Sequence, residues 1–304
     1  DYGTPESMAI IKERASELAA VMVEPVQSRR PDFRPVEFLR ELRDVTTQAG
    51  CAYIWDEVIT GFRAHPGGAQ ALFGVQADLA TYGKVAGGGM PLGVIAGKQP
   101  WMDALDGGHW QFGDDSRPTA GVTYFAGTFV RHPLTMAATK ATLQYLKAQG
   151  PALQERINAQ TERLATTLNA FFEQVGAPVK IKHFSSLWKA TQLEDHPMQD
   201  LLFCYLRENG VHIWDGFPCF LTEAHTDADV DFLIDAFKRS VRAMQEAGFY
   251  PAAPGKETSV QDALRPPVPG ARLGRDPDGN PAWYVPNPAE RGKFMKVEHR
   301  WTPP

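Results

Sequence analysis

Cysteine is scarce in this chain of 304 residues: Cys51, Cys204 and Cys219 stand far apart. Three scattered thiols exclude a disulfide framework and a thiolate metal cluster, and they point to a reducing, cytoplasmic setting. The eight histidines show neither HExxH nor any paired ligand spacing, which argues against a metal site. An excess of one charge is also lacking. Lys plus Arg number 31 and Asp plus Glu 36, for a net charge of −5. Bulk electrostatics therefore exclude a nucleic-acid partner. No apolar run approaches the ~18 residues of a membrane helix, so no membrane partner is expected. What is present is a globular balance, 43% hydrophobic and 22% charged, over a length that allows about two domains.

The chain opens on Asp1 with no signal peptide, and residues 1–5 read as the end of a loop entering a helix over 6–18. That is the pattern of a cut inside a larger polypeptide. The apolar run 19–25 predicts a buried parallel strand. Phe38, Leu39, Leu42 and Val45 lie at helical spacing, predicting a helix over 35–49 that Gly50 ends. Further strands are expected at 51–56, 79–82 and 93–96. Strand and helix alternating in this way predict an α/β fold with a mainly parallel sheet. Beyond His132 the texture changes. Helices are expected at 134–148, 151–174, 199–208 and 227–247, with strands at 179–184, 186–192 and near 211–214 and 219–221. This suits a smaller α+β domain at 134–250, after a larger one at 1–133. Residues 251–304 hold 11 of the 24 prolines and read as a linker or extended arm, with Trp283, Tyr284, Phe294 and Trp301 as anchors.

Three short pieces carry the chemistry: Asp56-Glu57-Val58 after a strand, Lys84 in Tyr-Gly-Lys before Gly87-Gly88-Gly89, and Gly127-Thr128. Singly they say little, because strand-end carboxylates and loop lysines are common. Together they match what pyridoxal phosphate needs. The cofactor takes a lysine amine at its aldehyde. It takes a carboxylate at the pyridine nitrogen, where an opposite charge shifts a pKa by ~1–3 units and keeps the ring an electron sink. Val58 stands two residues after Asp56, on the same strand face, and can pack on the ring. Backbone N–H groups and a hydroxyl suit the phosphate. In such sheets ligands bind beyond the carboxyl ends of the strands.

The stretches VMVEPVQSRRPD, CAYIWDEVITGFR, DLATYGKVAGGGMPLGVIAGK and YFAGTFVRHPLTMAA resemble class III (fold type I) pyridoxal-phosphate aminotransferases. The resemblance is to the glutamate-1-semialdehyde aminomutase-like branch, and within it to domains embedded in nonribosomal peptide and polyketide synthases. It implies a PLP-transferase fold. Residues 1–133 would be the C-terminal part of the cofactor-binding large domain. It implies Lys84 as the cofactor-linked lysine and proton shuttle, Asp56 as the pyridinium partner and Val58 as the ring contact. Gly127 and Thr128 would reach the phosphate of a neighbouring subunit's cofactor, making a homodimer, and Glu24 would line the site. The implied reaction moves an amino group from an amino-acid donor to a keto or aldehyde carbon of a carrier-bound acyl chain. A stand-alone aminomutase or transaminase on a soluble substrate is the alternative, as is a non-catalytic dimerisation module.

Several positions depart from the family pattern. Ile59 stands where many members carry Gln, and Val130-Arg131-His132-Pro133 replaces Ser-Gly-Asn-Pro. Phe217 stands where the aminomutase has a substrate-contacting Glu, which argues against glutamate semialdehyde and for a larger acyl chain. The family's N-terminal phosphate loop and ring-stacking aromatic do not occur in this sequence. A chain lacking them is expected to bind the cofactor weakly.

Overall fold

The computed structural model describes residues 1–108, 110–111, 113–117, 121, 123, 126–196, 198–254, 271–277, 281–287 and 293–297. Tyr124, Phe125 and Trp301 lie outside them. The chain divides into two compact units. The first holds Asp1–Thr166, Ile181–Ala190 and Gly216–Val230; the second holds Thr167–Lys180, Thr191–Asp215 and Asp231–Pro304.

In the first unit, helix α1 (Pro5–Arg14) is capped by Thr4, whose Oγ1 accepts from the Ser7 N–H at 3.3 Å. Strand β1 (Ala20–Val23), helix α2 (Val36–Ala49), strand β2 (Ala52–Asp56), the short helix α3 (Gly68–Phe73), strand β3 (Leu79–Gly83) and strand β4 (Gly93–Gly97) follow. The sheet runs in the order β1-β2-β3-β4. The first three strands are parallel, and β4 pairs antiparallel with β3. Inner strand β2 carries Ala52, Tyr53 and Trp55, all buried, as an apolar run covered on both faces should. Helix α2 lays Leu39 and Leu42 against Tyr53 and Trp55. Fully burying each leucine contributes about 1.5–3 kcal/mol. Gly50 ends α2 at φ +69°, a left-handed cap that glycine adopts without cost. At the opposite end of the sheet from the site described below, the Asp78 carboxylate accepts from the Tyr53 N–H at 2.9 Å. It also pairs with Arg43 and Lys98, each at 2.9 Å.

Helix α4 (Gln99–Asp106) is followed by α5 (Pro133–Gln149) and α6 (Ala152–Val175). Strands β5 (Val179–Phe184), β6 (Leu187–Gln192) and β7 (Cys219–Phe220) form a second sheet in that order. His225 closes the turn after β7, its Nδ1 accepting from the Thr222 N–H at 3.1 Å. Thr226 and Asp229 then cap the next helix reciprocally, at 2.8 and 3.2 Å.

The second unit is built on the C-terminal part of α6, helix α7 (Leu201–Glu208) and helix α8 (Asp227–Glu246). Phe172 and Phe237 meet at 6.3 Å between ring centroids, and Leu202, Leu206, Val241 and Met244 are buried. The strand expected near 211–214 does not form. The Val211 N–H instead donates to the Leu206 carbonyl at 2.8 Å, satisfying the end of α7, and Arg207 holds Asp215 at 2.8 Å. The proline-rich segment holds more structure than a linker. Strands β8 (Arg272–Arg275), β9 (Pro281–Pro286) and β10 (Phe294–Lys296) pair antiparallel in the order β10-β9-β8. Two of its prolines sit at the ends of β9, where a missing N–H costs the ladder least. Among the described residues no helix is long and apolar enough to cross a membrane.

Candidate active site

Glu24 follows β1, Asp56 ends β2 and Lys84 follows β3, so the carboxyl ends of three adjacent parallel strands bring them together. Buried residues seat β2 and β3, the partly buried Val21 and Val23 of β1 pack on the same core, and a polar side chain stands at or just past the end of each strand. Glu24 senses the other two. Burial pushes the Glu24 carboxyl above its usual range. The Asp56 charge adds to that shift, while the Ser28 N–H, at 3.1 Å from Glu24 Oε1, and the Lys84 ammonium oppose it. Tyr2 donates its hydroxyl to the Pro25 carbonyl at 3.1 Å. Its phenol is pushed up by burial and by Glu24.

Asp56 is held by its own loop and by the next strand. Its Oδ1 accepts from the Val58 N–H at 3.0 Å and from Thr81 Oγ1 at 3.3 Å. Among the described residues no hydrogen bond reaches Oδ2, which leaves one oxygen for a cationic partner. The Val58 side chain lies over Gly83. A Cβ on Gly83 would meet Val58 Cγ1 at 3.5 Å and the Leu92 carbonyl at 2.9 Å. Val58 is thereby stationed beside the residue that precedes Lys84.

Lys84 is exposed and has a left-handed backbone, φ +42°. That conformation is strained for any side chain but glycine, and the surroundings must over-determine it. A one-turn 3-10 helix over Lys84–Gly87 supplies the constraint. Gly88 then packs on α5 so closely that a Cβ there would stand 2.2 Å from Thr142 Oγ1. Among the described residues Lys84 makes no hydrogen bond or ion pair, so its amine is available for chemistry.

Gly127 and Thr128 line a cavity of about 960 Å³ together with Val58, Thr81 and Tyr82. Lys84, Asp56 and Glu24 are not in its lining. Val58 and Thr81, both bonded to Asp56, share this wall with the Gly127-Thr128 turn, while Asp56, Glu24 and Lys84 do not line it.

Sequence reasoning named Glu57 and gave it no role. Its carboxylate is fully buried and accepts three hydrogen bonds: from Thr60 Oγ1 at 2.7 Å, the Ala69 N–H at 2.9 Å and the Gln70 N–H at 3.1 Å. Gly68, at φ +65°, has no room for a Cβ, which would fall 2.5 Å from Glu57 Oε2. Glu57 thus ties the β2–α3 connection to the strand end that carries Asp56. A hydroxyl three residues on and glycines at 67 and 68 were the signal that could have shown it.

A family model described as aminotransferase class III matches residues 4–237. The chain belongs to this family. A glutamate-1-semialdehyde 2,1-aminomutase from Archaeoglobus fulgidus is 32% identical over 251 residues, covering 78% of this chain and 56% of that protein. The solved structure of a β-phenylalanine aminotransferase from Variovorax paradoxus is 29% identical with a TM-score of 0.69, over 82% of this chain and 57% of that one. A transaminase structure with PLP bound is 25% identical with a TM-score of 0.67, over 80% and 56%. The chain spans about half the length of the aminomutase it matches. Its fold is the α/β fold of the PLP-dependent transferases, with a mixed sheet whose first three strands are parallel. Class III membership fits the strand-end cluster of amine and carboxylates.

Proposed function

We propose that this class III chain takes part in amino-group transfer with pyridoxal phosphate, and that Lys84 is its catalytic residue. The observation that carries the reading is the gathering of Glu24, Asp56 and Lys84 at three neighbouring strand ends, with Lys84 unpaired among the described residues and one Asp56 oxygen unbonded. The donor set fits the cofactor: an amine for its aldehyde, a carboxylate for its pyridine nitrogen, Val58 for the ring, and Gly127 with Thr128 for a phosphate. When bound, the cofactor supplies an electron sink that lets a proton leave the carbon bearing the amino group.

The chain's own groups do the rest. Lys84 holds the cofactor through Nζ. Once the amino group of the donor takes its place on the cofactor, the freed Lys84 amine accepts a proton at Nζ from the donor's carbon and returns it to a neighbouring carbon. Asp56 keeps a positive charge stable at the ring nitrogen. Glu24 lines the same rim, where burial raises its carboxyl and the Lys84 charge opposes that rise.

The finer reading makes residues 1–133 the C-terminal part of a cofactor-binding large domain, 134–250 a small domain, and 251–304 an arm. It sets the domain in a hybrid peptide–polyketide synthase of the cytoplasm, acting as a homodimer. The amino donor is an amino acid, and the acceptor is an acyl chain on a carrier protein. Tethering raises the acceptor to an effective concentration in the mM range, so intrinsic affinity can be low. Phe217 supports an apolar acceptor. The aminomutase relative keeps a second reading in view, turnover of a soluble substrate.

The test is spectroscopic. The chain is mixed with pyridoxal phosphate, its absorbance recorded, and the adduct reduced with borohydride and mapped. The expected label falls on Lys84, and Lys84→Ala abolishes both label and turnover. A fully active Lys84→Ala variant overturns the assignment. Turnover of free ketones but not of carrier-bound ones selects the second reading.

A further inference from the structure

A smaller cavity of about 250 Å³ lies within the first unit and is distinct from the cavity lined by Thr128. Its wall includes Arg63, Gln154, Ser186 and Leu221, and at its exposed side Tyr145 and Glu223. Arg63 is partly buried, and its Nε is wholly so with no hydrogen-bond partner among the described residues. Its Nη1 donates to Ser186 Oγ at 3.0 Å, and the guanidinium lies 4.3 Å over the Phe220 ring. No carboxylate pairs with it among the described residues. Glu223 is engaged elsewhere, accepting from the Tyr145 hydroxyl and standing 4.0 Å from Arg156. Burial alone pushes the guanidinium down, to about 10, with no acidic neighbour to offset it. A cation so placed, with an N–H left over, calls for an anion.

We infer that this cavity is a binding site for a small monocarboxylate, with Arg63 as its anchor. The guanidinium presents its remaining N–H groups to a carboxylate, a pairing whose planar geometry arginine favours. Ser186, already held by Arg63 Nη1, fixes the orientation of the fork. Phe220 stacks beneath it. Gln154 is buried; its Nε2 is spent on the Phe62 carbonyl at 2.9 Å, and its Oε1, with no hydrogen-bond partner among the described residues, is a neutral acceptor on the same wall. A volume of about 250 Å³ has ample room for a three- or four-carbon acid. Val85, the residue after Lys84, lines the same cavity, which sets this site next to the lysine turn. A keto acid of that size is the class that amino-acid donors leave behind. The use of the site in transfer rests on the proposed function, but binding does not.

The test uses the chain without cofactor and measures its thermal midpoint against pyruvate and against pyruvamide, which has the same shape and no charge. Pyruvate is expected to raise the midpoint in a saturable way, as a ligand of the native state does, and pyruvamide to leave it unmoved. Arg63→Gln is expected to weaken the pyruvate response at least tenfold. Ser186→Ala keeps the charge and is expected to weaken it severalfold, and it serves if Arg63→Gln does not fold. An equal response to pyruvamide, or an unchanged response in either variant, overturns the site. Lys84→Ala is expected to keep the pyruvate response. Loss of that response in Lys84→Ala moves pyruvate to the lysine rim and also overturns the site. Failure here would leave the Lys84 label of the preceding experiment standing.

Discussion

Replacing Glu57 tests whether the strand-end cluster depends on a buried carboxylate that touches no substrate. In Glu57→Ala three donors lose their acceptor: the Thr60 hydroxyl and the Ala69 and Gln70 N–H groups. Leaving a buried donor unsatisfied costs about 1–3 kcal/mol each. Water can reach the partly buried Gln70 N–H, so the total is about 3–5 kcal/mol rather than the full sum. Glu57→Gln keeps the shape and one acceptor oxygen. That oxygen can serve Ala69 and Thr60 from the Oε2 position, leaving the amide facing the Gln70 N–H, for a loss of about 1–3 kcal/mol. The assay is urea unfolding of both variants and of Thr60→Val, with the double variant Glu57→Ala/Thr60→Val closing the cycle. The double variant should fall short of the sum of the singles, because the Thr60 bond is counted in both. A loss below about 1 kcal/mol in Glu57→Ala would refute the anchoring argument. Tyr82 gives an independent readout. Its phenol is pushed up by burial and then by the Glu57 charge, so Glu57→Gln should lower its titration midpoint in ultraviolet difference spectra.

Two further expectations concern other parts of the first unit. Burial pushes the Asp78 carboxyl up, but bonds from Arg43, the Tyr53 N–H and Lys98 outweigh it and hold it below its usual range. A carboxyl lowered by folding adds stability above its unfolded pKa, and that stability is lost as pH falls through the folded value. Asp78→Asn should therefore destabilise at neutral pH and flatten the fall in urea midpoint below about pH 4, where wild type loses the same bonds. Gly88→Ala meets both a left-handed φ of +58° and Thr142 Oγ1 at 2.2 Å. The φ cost alone is about 1–2 kcal/mol. The companion change Thr142→Ala should recover the steric part and leave the backbone part, as read from urea midpoints.

Much of the framework of the first sheet could be read from the chain itself. The run Cys51–Asp56 announces an inner strand because hydrophobic residues continue without alternation, and Tyr53 and Trp55 are indeed buried. Gly50 marks the end of α2 for the steric reason glycine serves there. Asp56 and Lys84 come from the Asp-Glu-Val and Tyr-Gly-Lys pieces taken together, and Glu24 only from the family resemblance. What stayed hidden depends on contacts that composition does not report. Residues 211–214 have the β-branched and aromatic composition of a strand, yet a local bond from the Val211 N–H to the Leu206 carbonyl, at the end of α7, decides otherwise. Strands β8 to β10 escaped notice because their prolines, in composition, speak for an arm, while position within the strand is what matters. Arg63 gives no sign in sequence of whether it faces solvent or a cavity, because its partner Ser186 stands 123 residues away. Glu57 leaves a fainter trace, a hydroxyl at Thr60 and the glycines at 67 and 68.

The spacing of the strand-end cluster has a consequence for how such a protein can be altered. Adjacent strands sit ~4.8 Å apart, a distance set by backbone hydrogen bonds and indifferent to side chains. Glu24, Asp56 and Lys84 are thus graduations on a ruler whose divisions the peptide group itself fixes. Segment 25–35 after β1 is part of the same device: its Ser28 N–H holds the Glu24 carboxylate and its Val26 is fully buried. A graft of this loop keeps the three marks in register only if it keeps those two residues, and the rest of its length is open to exchange.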